Sequence, residues 1–233
     1  ILDNMNKIVV AIIFAVGVYV LYKLYKKYID TKIVIREEPV DATVKYNVKN
    51  EDMLLSQPLK GLSFSTSFWI YIRDWNYKFM NEKTIFNKGG FKLLLGNRMN
   101  DLYLEMPILG SFYPEKILYK DIPLQKWIHV VITLENRNLD MWLNGKLYGS
   151  KHLKNLPKIF EQNDMIFAEN GGFSGYISRI YHYETPLSKT SVVRLFKAGP
   201  INNNPIARIL RRIKGAAGSV KLNVKVDVSA SAN

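Results

Sequence analysis

The chain has 233 residues, 48% of them hydrophobic, no cysteine and a net charge of +13. This length suffices for one β domain with its own core plus appended segments, and the lack of cysteine excludes support from disulfides. Residues 1–36 hold six Lys/Arg against two Asp, and residues 201–233 hold six against one. The middle of the chain is therefore only mildly basic, and we do not expect it to bind nucleic acid.

An uncharged apolar run at 8–22 is flanked by Lys7 before it and by several lysines after it. Extended to 5–28, with the lysines reaching toward water, the run has the length of a membrane-spanning helix. The alternatives are a cleaved signal peptide and a buried core helix. The basic excess after the run predicts a single-pass anchor at 1–36, with the following domain in the cytoplasm or a topologically equivalent virion interior. The residues assigned to this contact with the lipid bilayer are Ile8, Ile12, Phe14, Val18, Tyr22, Lys23, Lys26 and Lys27.

The globular domain is placed at 37–200. An extended connector at 29–46 leads into it and becomes its first strand. Residues 64–72 alternate between two faces and are rich in β-branched and aromatic side chains, which predicts a strand. Further strands are predicted at 84–86, 91–96, 101–106, 116–121 and 164–168.

Two loops between these strands carry aromatic residues, namely 73–81 and 107–114. The rings either fold back over the edge of the domain or form a surface for a sugar ring or a partner chain. The candidate ligand or partner residues are Trp75, Tyr77, Phe79, Phe112 and Tyr113.

The segment 125–149 predicts three consecutive strands. Trp127 and His129 begin one face of a strand that runs to about 134, and the intervening positions form the other face. A turn leads into a second strand at 139–143, and Asn144-Gly145 is a strong hairpin signal. A late strand is predicted at 173–183, and Ser188 is predicted to cap a short helix that ends at Lys197.

Three of these stretches together resemble laminin G-like domains of the concanavalin A-like lectin/glucanase group. They are Trp-x-His-Val with Leu-x-x-Trp-Leu-Asn-Gly-Lys at 127–146, the late strand with Pro-Leu-Ser at 186–188, and the early strand at 64–72. The resemblance covers about residues 40–200. It implies an all-β fold, a jelly-roll sandwich of two antiparallel sheets. The chain departs from secreted laminin G-like modules in having no disulfide.

The C-terminal segment 201–233 is predicted to contain a basic amphipathic helix followed by an extended tail. Its apolar residues recur at helical spacing, and arginines occupy the other positions. Such a helix suits an anionic membrane or the groove of a partner, and the alternative is packing on its own sandwich. The residues expected to make these contacts are Ile206, Arg208, Ile209, Leu210, Arg211, Arg212 and Ile213.

No catalytic, metal or cofactor site is predicted. Glucanases of the resembling group use closely spaced carboxylates on one strand, and the sequence contains no Glu-x-Asp-x-x-Glu pattern. His129, His152 and His182 are scattered without metal-ligand spacing, and no phosphate-binding loop is present.

The leading hypothesis is a non-catalytic, membrane-anchored structural protein that uses its lectin-like sandwich for contacts with other proteins of an assembly. Its most specific form is a minor capsid protein that links an internal membrane to a viral shell. The alternative is a membrane-anchored module that binds glycan or matrix. A third hypothesis, a glycoside hydrolase, requires a carboxylate pair around Glu135 that the sequence does not supply.

Overall fold

A computed structural model describes residues 12–22, 32–53, 63–158 and 163–201. They form a sandwich of two antiparallel sheets with seven and six strands. The larger sheet contains β1 (Lys32–Arg36), β2 (Val40–Asp41), β4 (Ser63–Asp74), β9 (Trp127–Glu135), β10 (Asn138–Leu143), β11 (Lys146–His152) and β13 (Ser174–Tyr183). The smaller sheet contains β3 (Tyr46–Val48), β5 (Lys83–Lys88), β6 (Phe91–Leu95), β7 (Leu102–Met106), β8 (Glu115–Tyr119) and β12 (Met165–Phe167).

The order of strands in the larger sheet is β1-β13-β4-β9-β10-β11, with β2 beside β13. The smaller sheet has the order β3-β12-β5-β6-β7-β8. Consecutive strands pair as hairpins along β5 to β8 and β9 to β11, whereas β4, β9 and β13 meet across long stretches of chain. This architecture confirms the predicted all-β antiparallel sandwich.

The core lies between the sheets, where every second residue of a strand turns inward. Phe68 of β4 meets Phe86 of the opposite sheet edge-on, with ring centroids 5.8 Å apart, and Phe86 meets Phe91 at 5.1 Å. Edge-to-face contacts of this kind add to the burial of apolar area. Both sheets are thus joined by aromatic rings that water does not reach.

The predicted strands at 64–72, 127–134, 139–143 and 173–183 are confirmed, with ends shifted by one or two residues. The predicted helix is also confirmed: α2 (Lys189–Lys197) begins after Ser188, whose side chain accepts a hydrogen bond from the backbone N of Ser191. The connector predicted at 29–46 contains more strands than the single first strand expected there. It contributes β1 and β2 to the larger sheet and leads into β3 in the smaller one, short edge strands with little alternation to mark them.

Chain reversals gather at two opposite ends of the sandwich. The upper end is formed by the loops 75–82, 96–101, 120–126, 144–145 and 168–173. The lower end is formed by the loops 89–90, 107–114, 136–137 and 153–158. Lys32, the first residue of β1, lies at the lower end because it pairs with Tyr183, the last residue of β13.

Residues 12–22 are helical and exposed, and we label this segment α1. Within the described parts of the chain, the structure contains no helix of sufficient length and apolar character to span a bilayer. Most of the predicted anchor, including Ile8, Lys23, Lys26 and Lys27, lies outside the described residues. So does the predicted tail helix with Ile206, Arg208, Ile209, Leu210, Arg211, Arg212 and Ile213.

Gly175 provides a test of the packing between β13 and β4. A Cβ atom at this position would stand 1.8 Å from the carbonyl oxygen of Tyr71. We expect Gly175→Ala to lower the free energy of unfolding by roughly 3 kcal/mol or more, because backbone must move to relieve the overlap. Gly199→Ala is the control. Gly199 has a φ of +73° and a Cβ atom there would meet no atom within 4 Å, so this substitution should lower the free energy of unfolding by only about 1 kcal/mol. Equal urea midpoints for the two variants would contradict this account.

Candidate functional site

The outer face of the larger sheet carries large side chains that the core does not use. Along β4, Phe68, Ile70 and Ile72 turn inward. The alternate residues Trp69 and Tyr71 therefore turn outward. Their direct neighbours on β9 are His129 and Trp127, respectively. The outward face is thus built from rungs of aromatic and imidazole rings.

Helix α2 covers part of this face. Val192 of the helix packs with Val131 and Trp142 of the sheet in a small second core. Near the end of the helix, Phe196 stacks on Trp69, with ring centroids 5.8 Å apart and planes 18° apart. The rung that contains Trp69 is therefore closed to solvent.

Under the helix, Ser67 and His129 form a buried hydrogen-bonded pair. The Ser67 Oγ atom lies 3.0 Å from His129 Nε2, and both residues are almost fully buried. His129 Nδ1 has no partner among the described residues. Burial, with the Arg179 charge adding to it, lowers the pKa of His129 from 6.5 to about 3. A nucleophile and its base need an exposed hydroxyl and a base with a pKa near the working pH, so this pair is suited to packing rather than catalysis.

Beyond the helix, the next rung lies open at the upper end. Tyr176 of β13, Tyr71 of β4 and Trp127 of β9 stand side by side in direct register. The centroid of the Tyr71 ring is 5.5 Å from that of Trp127 and 6.2 Å from that of Tyr176. All three rings are half-buried. We call these three residues the aromatic platform.

Polar groups border the platform at its Tyr176 edge. Arg73 places its guanidinium 4.9 Å from the centroid of the Tyr176 ring and donates a hydrogen bond to the Tyr176 hydroxyl. Asp41 lies opposite Tyr176 on β2. The side chain and backbone N of Thr43 both donate to the Asp41 carboxylate, and with Arg73 they lower its pKa below the ordinary value. An apolar surface with an oriented cation and anion at its edge can stack a ring and bond its hydroxyl groups.

Of the five residues predicted to form a ligand or partner surface, two pack against the domain instead. Trp75 packs on the main core, and the Nζ atom of the buried Lys83 lies 4.6 Å from the centroid of its ring. The Tyr77 hydroxyl donates to the carbonyl oxygen of Gly171. Phe79 in the same loop is 50% exposed.

The other two predicted residues, Phe112 and Tyr113, lie at the lower end. Their side chains are 93% and 76% exposed, and their rings meet edge-on at 5.2 Å. The structure therefore separates Trp75, Tyr77 and Phe79 from this pair by the length of the sandwich. These five residues do not form one surface.

Sequence analysis missed the aromatic platform. Each member falls on the outward face of a predicted strand, which is a signal that could have been used. What alternation cannot supply is the pairing of β13 with β4 and of β4 with β9, because those strands are far apart in the chain. The platform exists only through that pairing.

Among the described residues, there is no group of three or more His, Asp, Glu or Cys that could hold a metal ion. His182, on the opposite face of the sheet from His129, shares a hydrogen bond with Thr66 through its ring nitrogen, at 3.1 Å, and its ring centroid lies 5.8 Å from that of Phe64.

Two antiparallel sheets, with an open aromatic rung on the outer face of one of them, define a lectin-like β-sandwich. Residues 48–193 match the family described as the concanavalin A-like lectin/glucanases superfamily, which is more than half of the chain. The chain belongs to this superfamily.

The chain is also similar to parts of clostridial neurotoxins. It is 26% identical over 194 residues to botulinum neurotoxin type E of Clostridium butyricum, a match that covers 75% of this chain and 15% of the toxin. The receptor binding domain of a botulinum neurotoxin C/D mosaic serotype superimposes with a TM-score of 0.52 and 19% identity, over 69% of this chain and 42% of that chain. The serotype D binding domain gives 0.51 and 18%, over 72% and 42%. These structures show a shared fold.

Because His129 and His182 are buried, we expect acid to destabilise the folded domain. Burial lowers the pKa of His182 to about 3, as it does for His129, and the charge of Lys88 adds to the effect. Between pH 6.5 and 3 the unfolded chain binds protons that the folded chain does not. The free energy of unfolding should therefore fall as the pH falls through this range, by about 1.4 kcal/mol per pH unit for each histidine.

Urea unfolding at several pH values measures this slope. His129→Gln should remove the contribution of one proton, whereas His152→Gln, at an exposed position on β11, should leave the slope unchanged. A slope that His129→Gln does not alter would show that the histidine is protonated in the folded protein.

Proposed function

We propose that this domain is a non-catalytic binding module and that the aromatic platform is the surface that contacts its ligand, a glycan. The observation that carries the proposal is the continuous row of Tyr176, Tyr71 and Trp127, left open by α2 and bordered by Arg73 and Asp41. A sugar ring has an apolar face that stacks on aromatic rings and hydroxyl groups that bond to charged side chains. The superfamily supplies a fold that includes lectins. Several neurotoxin relatives with this fold are described as binding domains.

Glycan arrays and titration calorimetry test this function. Trp127→Ala should weaken binding of the selected oligosaccharide by about tenfold or more, because a tryptophan ring in a ligand contact commonly dominates its affinity. Leu147→Ala, an exposed apolar residue on β11 of the same sheet, is the matched control. Affinity that survives Trp127→Ala would rule out the platform, and the absence of any glycan ligand would rule out the function.

We also propose that the segment before β1, residues 1–31 of the anchor predicted at 1–36, holds the module to a membrane, as the uncharged run at 8–22 and the lysines after it indicate. The same charge distribution supports a cytoplasm-facing domain and a role among the structural proteins of an assembly, with the basic C-terminal segment as a further contact. The more specific hypothesis of a minor capsid protein gains no support from the contacts of the sandwich or from its relatives.

Protease treatment of sealed, right-side-out vesicles tests the proposed orientation. A cytoplasm-facing sandwich should be cleaved only after the bilayer is opened. Cleavage in intact vesicles would place the domain outside and contradict the orientation, while leaving the glycan proposal intact.

A further inference from the structure

The lower end of the sandwich carries an exposed apolar tip that neither the core nor the platform uses. Phe112 is 93% exposed and Tyr113 is 76% exposed, and Leu109 and Leu156 beside them are also exposed. Most aromatic residues of the domain lie at least half-buried, so two adjacent rings in solvent are unusual. Exposed apolar patches of this kind mark contacts with a partner or a membrane.

Hydrogen bonds hold this tip in its conformation. The backbone N of Leu109 donates to the carbonyl oxygen of Leu156 at 2.9 Å, and the Asn155 side chain donates to the carbonyl oxygen of Leu109 at 3.0 Å. The Ser111 hydroxyl donates to the carbonyl oxygen of Tyr113 at 2.8 Å. The rings therefore project from two chain segments, 107–114 and 153–158, that brace each other.

The charged side chains of these two segments are all positive. They contain Lys154 and Lys158, both exposed, and no Asp or Glu. The adjacent Glu115 is buried; its carboxylate accepts from the backbone N of Lys154 and pairs with Lys151 Nζ at 2.9 Å. Lys151 and Lys154 both balance its charge, and the tip presents apolar rings beside lysine side chains.

The chain enters the sandwich at this same end. Lys32 begins β1 next to Tyr183, so residues 1–31 of the sequence, with the uncharged run at 8–22, connect to the lower end. The position of this connection does not depend on the exposed rings. The connection and the rings both indicate that a bilayer would lie at the lower end of the domain.

We propose that the tip docks onto an anionic lipid bilayer. Phe112 and Tyr113 enter the interfacial region, where aromatic rings are favoured, and Lys154 and Lys158 face the lipid phosphates. Exposed rings beside lysines suit an anionic bilayer better than a protein groove, which would have to supply matching acids. The aromatic platform lies at the upper end, so a docked domain directs the platform away from the membrane.

A tryptophan introduced at the tip of the full-length chain reports how deeply the tip enters the bilayer. Phe112→Trp is compared with Phe79→Trp, an exposed position at the opposite end, and the four native tryptophans contribute equally to both variants. The vesicles contain brominated phosphatidylcholine, with or without phosphatidylserine. We expect added quenching and a blue-shifted emission for Phe112→Trp with phosphatidylserine, and neither change for Phe79→Trp.

The lysines are tested in the same assay. Each lysine should favour the docked state about fivefold near an anionic surface, so Lys154→Ala combined with Lys158→Ala should lower the ratio of docked to undocked protein roughly 25-fold. Quenching that is equal in the two tryptophan variants, absent from Phe112→Trp, or unchanged without phosphatidylserine would overturn the proposal. None of these results bears on glycan binding at the platform.

Discussion

The fold depends on β4 and β9, the central strands of the larger sheet, which must be covered on both faces. In β9, the residues between Trp127 and Glu135 are buried without interruption, although their side chains alternate between the two faces. The inner face is covered by the smaller sheet, and the outer face by α2. Since a single helix is narrower and shorter than a sheet, it covers the rungs around Val131 and Trp69 and leaves the next rung open.

This incomplete cover explains how buried polar groups and the proposed binding surface lie side by side. Under α2, Ser67 and His129 are sealed beneath Phe196, and the imidazole must stay neutral. One rung further toward the upper end, Tyr71 and Trp127 have the same outward direction, but no helix of the described residues lies above them. The end of α2 thus separates a packed layer from an accessible aromatic row.

The two ends of the sandwich differ in chemistry. At the upper end, three aromatic rings stand side by side on a sheet with Arg73 and Asp41 at their edge, the arrangement proposed to bind a ligand with both apolar and hydroxyl groups. At the lower end, Phe112 and Tyr113 project from a braced loop beside lysines. The proposed membrane contact and the proposed ligand contact are compatible in one molecule, because the strands of the sandwich separate the two surfaces.

The sequence by itself determined most of the strands, the hairpin at Asn144-Gly145 and the cap at Ser188, because alternation, turn residues and caps are local. The sandwich class followed from the resemblance of three stretches to laminin G-like domains. It also indicated that Phe112 and Tyr113 were candidates for exposure. Only the tertiary structure decided that Trp75 folds back over Lys83 whereas Trp127 joins Tyr71 and Tyr176. That difference arises from pairing between strands far apart in the chain and from where α2 ends, and neither leaves a local pattern in the sequence.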